Sequence, residues 1–198
     1  MLSKMNIMPK DGGIVGISDH GGWAVLVTVA PDGTLLDRRR VDLVDDDLPK
    51  IPHHSEGQRL PIDEAVKLVE RVRVSAEKHS GLALDAVALA IPRILGIALR
   101  KLQPLPPTIA ERIKDYRAQN VADWVMYRKA LAAAAEERGW PVHWYDTKAV
   151  FAAAGQALHV EKLDTYFRDL RKSIGPPWDQ DYKLAMAAAI VAGKALGD

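Results

Sequence analysis

The chain has 198 residues, with 27 lysines and arginines against 26 aspartates and glutamates, a formal net charge of +1. It has no cysteine, which excludes disulfide scaffolds, cysteine-ligated zinc and thiol nucleophiles, and its near-neutral balance excludes a uniformly basic nucleic-acid or membrane binder. A 48% hydrophobic share and this length predict an ordinary globule with a sizeable core.

In chain order, residues 1–10 read as a flexible N-terminal tail and 11–198 as a single domain, with a helical C-terminal extension from about 158. The opening MLSKMNIMPKDGG has no continuous apolar core of a secretory signal. No stretch reaches the ~18 apolar residues that would span a membrane; the expected compartment is the cytoplasm. Ile14–Ser18 is a short β-branched strand, and Asp19-His20-Gly21-Gly22 a turn. Trp23–Ala30 and Thr34–Val44 are strands joined by a Pro31-Asp32-Gly33 hairpin. A polar, proline-punctuated connection follows over 45–61. Pro61, with Asp63 and Glu64, then opens a helix that Gly81 is expected to end. Asp85–Ile91 (DAVALAI) is nearly all apolar and reads as a strand buried on both faces. One long helix is expected between Pro106-Pro107 and Gly139, with Ile109, Ile113, Tyr116, Trp124, Tyr127 and Leu131 on one face. Val142–Tyr145 is a strand, and helices follow from Thr147, near 160–173 and over 179–195.

The order β-β-β-α-β-α-β-α, followed by further helices, resembles the ribonuclease H-like superfamily. The segment GIVGISDHGGWAVLVTVAPDGTLLDRRRVDL is similar to that family's opening hairpin, and the nearest branch is the bacterial Holliday-junction resolvases of RuvC type. Asp85-Ala86-Val87-Ala88, Thr147-Lys148-Ala149-Val150 and the alanine-rich final helix carry the rest of the likeness. The resemblance implies an α/β fold with a mixed five-stranded sheet, extra C-terminal helices, and a two-metal nuclease site using Mg²⁺ or Mn²⁺. The implied acids fall on strand one, at the end of strand four and on the last helix. Here those places hold Ser18 with Asp19 one residue late, Ile91-Pro92-Arg93, and Lys183-Leu184 after Asp179 and Asp181. A one-residue shift on a strand reverses the side-chain direction. The acidic motif therefore reads as degenerate.

Asp19, Asp179 and Asp181 are the catalytic candidates, with Asp19 and Asp181 as metal ligands. Asp19 also reads as a plain turn residue, and Asp179 and Asp181 as helix caps. Gly21 and Gly22 offer backbone amides to a phosphate or simply make a tight hairpin. Asn120, Asp123, Asp146 and Lys183 are candidate ligand-binding residues; Asp146 also reads as a cap. His53 and His54, with Glu56, admit a metal reading, although adjacent side chains point apart. Arg38, Arg39 and Arg40 lie on an edge strand, where charge blocks unwanted pairing. The better basic region is 93–129, with eight cations against three acids, net +5. The five tryptophans read as packing residues or as base-stacking ones.

The expected function is a nucleic-acid-associated relative of these resolvases with an eroded two-metal site, contacting DNA or RNA through 93–129. Any chemistry would be metal-dependent phosphodiester hydrolysis. The alternatives are a non-catalytic structural or binding homodimer, an active metal-dependent nuclease, and a phosphate- or nucleotide-binding protein related to the actin-like ATPases.

Overall fold

A computed structural model describes residues 12–197. The expected tail over 1–10 lies outside these. A meander comes first: β1 (Gly13–Asp19), β2 (Trp23–Val29) and β3 (Leu35–Asp42), paired antiparallel. The long connection 43–61 holds a short 3-10 turn over Glu56–Arg59. Then follow α1 (Ile62–Ala90), β4 (Ile94–Arg100), α2 (Ile109–Lys114), α3 (Tyr116–Glu137), β5 (Val142–Tyr145), α4 (Val150–Ala157), α5 (Leu163–Ile174) and α6 (Gln180–Gly197). The five strands lie in the order β3-β2-β1-β4-β5, with β4 parallel to both β1 and β5. This is the mixed α/β sheet the sequence predicts.

Two expectations change. The apolar run 85–91 is not a strand. It continues α1, where Ala83, Leu84 and Val87 are buried at helical spacing while Leu89 stands 87% exposed. Gly81 sits inside the helix, and the stop comes at Pro92, which holds Ile91 in extended backbone. The fourth strand is instead the next segment, ILGIALR. The likeness carried by Asp85–Ala88 therefore falls on a helix. The long helix expected after Pro107 is two helices. Thr108 and Glu111 form a reciprocal capping box on α2. Asp115 then leaves helical backbone and accepts from the Arg117 and Ala118 amides, starting α3 afresh. The new start turns the helix, so that Tyr116 and Asn120 face solvent while Gln119 and Asp123 are buried.

The sheet separates two apolar cores. On one face Val15, Ile17 and Leu26 pack with α1 and α3. On the other, Ile14, Val25 and Val27 pack with α4, α5 and α6. The second contact is very close. A Cβ added to Gly16 would lie 1.8 Å from the carbonyl oxygen of Ala185, so the α6 backbone crosses β1 directly at that glycine. Ala185, Ala188 and Ala189 are all at most 1% exposed, and their small side chains permit the approach. Among the described residues no helix is long and apolar enough to cross a membrane.

β3 is an edge strand, as predicted, but its arginines do more than guard it. Arg38 reaches across to the α5–α6 connection and donates to the carbonyls of Ile174 (2.8 Å), Gly175 (3.0 Å) and Pro177. Arg39 pairs with Asp37 (2.7 Å), and the Arg40 guanidinium lies 4.4 Å from the Trp23 ring centre.

Candidate functional site

The carboxyl ends of β1 and β4 meet the start of α6 and the middle of α3 at one edge of the sheet. Alternation along β1 decides what each side chain meets there. Ser18 turns toward α6 and donates its hydroxyl to Asp181 Oδ1 at 2.9 Å. Asp19, one residue on, turns to the α3 layer. Its Oδ2 accepts from Arg128 Nε and Nη2, both at 2.8 Å. Both side chains of that pair are at most 2% exposed, and Arg128 Nη1 also donates to the Lys101 carbonyl at 3.1 Å. Asp19 and Asp181, the two expected metal ligands, thus reach into opposite layers.

The pairing is physically reasonable. A carboxylate this deeply buried is tolerated only with a cation and hydrogen bonds beside it. Arg128 Nη1 is held by a backbone carbonyl, so the guanidinium is fixed and not a mobile counter-ion. Tyr145 closes the same region and donates its hydroxyl to the Ile17 carbonyl at 2.9 Å. Burial first, and then the charge of Asp19, push the Tyr145 phenol up to about 12, so it stays a neutral donor.

On the α6 side, Asp181 Oδ1 also meets His20 Nε2 at 2.8 Å. The His20 ring stacks on Trp23 with centres 4.0 Å apart and planes 7° from parallel, and Arg40 covers the same indole. Asp179 accepts from the amides of Asp181 (3.0 Å) and Tyr182 (3.4 Å), as a cap at the start of α6 does. Asp146 accepts from the Lys148 amide at 2.8 Å, so it also serves local backbone. Lys183 borders a groove with Lys162 and Asp164 on the α5 side and forms no ion pair with Asp179 among the described residues. Asn120 is exposed and donates to the Tyr116 carbonyl at 2.6 Å. The glycines follow from packing of the long connection. Gly22 has φ +81°, and a Cβ on Gly21 would sit 2.7 Å from Ile51 Cγ2.

Asp123 is fully buried but does not reach the Asp19 edge. It accepts from the His53 amide (3.0 Å), His53 Nδ1 (2.7 Å) and the His54 amide (3.2 Å), and so pins the long connection onto α3. His53 is therefore a buried partner of Asp123. The three residues absent from the sequence candidates are Ser18, Arg128 and His53 in this role. Arg128 carried one signal: it sits three residues before Leu131 on the inward face of α3, where an unpaired cation would be costly.

Magnesium or manganese chemistry in such a site needs several hard oxygen ligands around one space. Asp19 Oδ1 is buried without a hydrogen-bond partner and offers a single ligand atom. Its other oxygen is taken by Arg128. No group of three His, Asp or Glu side chains suited to one metal ion occurs among the described residues. The residues present do not fit a two-metal centre.

The arrangement can be set beside solved structures. The chain is similar to T. thermophilus RuvC in complex with a Holliday junction substrate. The TM-score is 0.56 at 16% identity, over 94% of this chain and 96% of that one. It is also similar to a Thermus thermophilus RuvC structure, with TM-score 0.51 at 18% identity over 93% and 96%. No protein-family model and no curated protein matches the chain.

Proposed function

These likenesses fix the fold as the ribonuclease H-like one of the RuvC resolvases, and from that premise we propose that the chain is a nucleic-acid-associated protein that binds without cutting. The observation that carries this reading is the buried Asp19–Arg128 pair. An arginine stands against the only strand-one carboxylate, and Ser18 occupies the position that faces α6. A fixed guanidinium there repels a divalent cation and already occupies one of the two carboxylate oxygens.

The basic residues support binding at the same sheet edge, though not as one continuous 93–129 patch. Arg93 lies at the opposite end of β4 from Arg100, about 20 Å away at the rise of a strand. Arg128 is buried. Lys101, directly after β4, and Lys114 and Arg117 remain exposed, and the His20–Trp23 stack follows β1.

The test is fluorescence anisotropy with a labelled four-way DNA junction and a single strand, followed by cleavage assays with Mg²⁺ or Mn²⁺. The expected result is binding that weakens about tenfold or more between 50 and 200 mM salt, as two to three phosphate contacts require. Lys101→Glu weakens it further, and no strand is cut. Metal-dependent cutting that Asp19→Asn abolishes would replace this reading with an active nuclease. Absence of any salt-sensitive binding would leave a structural or homodimeric protein.

A further inference from the structure

Arg100, the last residue of β4, is a cation that the fold leaves unmatched. Other arginines that lie against the fold are taken: Arg128 by Asp19, Arg38 and Arg112 by backbone carbonyls, and Arg138 by Asp85. Arg100 forms no ion pair among the described residues, and its Nε is buried without a hydrogen-bond partner. A buried charged group left unsatisfied is costly and calls for a reason.

Its place supplies one. β1 and β4 are paired as far as Gly16 and Ala98. Beyond that register the Ile17 carbonyl accepts from the Tyr145 hydroxyl at 2.9 Å, so a side chain from β5 spans the gap where the ladder stops. The two strand ends leave a notch there. Strand alternation puts Arg100 on the same side as Ala98, in the α6 layer that Ser18 also faces. Arg100 stands beside Tyr145 in register, close enough for its charge to act on the phenol. Neither nearby acid neutralises it: Asp19 turns to the other layer and Arg128, and Asp181 is held by Ser18 and His20. Arg100 keeps part of its surface exposed while Nε is covered, so the Nη end of the fork meets solvent. Crevices beyond the carboxyl ends of the strands are where α/β sheets take ligands.

We propose that Arg100 is a phosphate-binding residue whose guanidinium fork grips one phosphodiester of a nucleic-acid backbone in this notch, with no metal ion between. The fork matches two phosphate oxygens at once. The source of the phosphate rests on the nucleic-acid reading above; the chemistry is the same for free inorganic phosphate.

The experiment compares the parent with Arg100→Gln and Arg100→Lys. Anisotropy with the labelled four-way junction runs from 50 to 200 mM salt in EDTA, and nitrogen-detected NMR of the arginine side chains follows a titration with inorganic phosphate. Arg100→Gln is expected to weaken junction binding about tenfold and to flatten the salt slope by about 0.9, the share of one phosphate contact, with a melting temperature near that of the parent. Arg100→Lys keeps the slope and recovers part of the affinity, since a point charge lacks the fork. Phosphate shifts the Arg100 resonances saturably. A parent that binds the junction while Arg100→Gln loses neither affinity nor slope would overturn the proposal and leave the nucleic-acid reading standing. A parent that ignores the junction while phosphate still shifts Arg100 would end that reading and keep the site as one for free phosphate. Silence of Arg100 in both measurements overturns the proposal.

Discussion

Arg128→Met should cost about 3–5 kcal/mol of folding stability, because it strands the Asp19 carboxylate in an apolar layer. Both partners are at most 2% exposed, so water cannot take over the lost contacts. The double variant Asp19→Leu, Arg128→Met removes both charges and keeps comparable volume. It is expected to recover most of that loss, since well-packed apolar pairs often replace buried ion pairs at little net cost. Urea denaturation of the parent, both single variants and the double variant closes the cycle. A single variant within about 1 kcal/mol of the parent would mean that the pair is solvated, and would remove the argument that it occupies a metal position. Mg²⁺ should not rescue Arg128→Met, because freeing Asp19 supplies one carboxylate and the described residues form no group of three ligands that could hold an ion.

The same small substitution should have opposite signs at two glycines. At Gly16 a methyl group would meet the Ala185 carbonyl oxygen at 1.8 Å and the Ala189 amide nitrogen at 2.7 Å. Both are backbone atoms of α6, so no side chain can swing aside. Gly16→Ala must lift the helix from the sheet and is expected to destabilise by about 3 kcal/mol or more, the upper range for overpacking. At Gly81, inside α1, the nearest atom is the tip of Arg138 at 3.7 Å. Gly81→Ala is expected to stabilise by about 0.5–1 kcal/mol through helix propensity. Thermal melts of the two variants compare them directly. Equal shifts would contradict the close β1–α6 crossing.

The two glycines also show how far local sequence reaches. Gly81 looks like a helix end by composition, yet the tertiary fold carries α1 through it because Ala83, Leu84 and Val87 continue the buried stripe. The run DAVALAI satisfies both a buried strand and the inner half of a helix, and only Pro92 separates the readings. The site is similar. The one-residue offset of Asp19 was legible, and strand alternation told that its side chain faces away from α6. What it would meet there was not, since Arg128 lies 109 positions away along the chain.

The sequence by itself determined the meander, the strand that follows Trp140 and the alanine-rich last helix, but it read the end of strand four at Ile91-Pro92-Arg93, which lies past the end of α1, whereas strand four ends at Arg100. The first three follow from short-range rules of turn chemistry, periodicity and residue type. Only the tertiary structure decided which charges are spent. Asp19 is held by Arg128, Asp123 by the His53 loop, Asp181 by Ser18 and His20, and Arg38 by the α5–α6 connection. Each pairing joins segments remote in sequence, and its stability depends on desolvation, which no local pattern encodes.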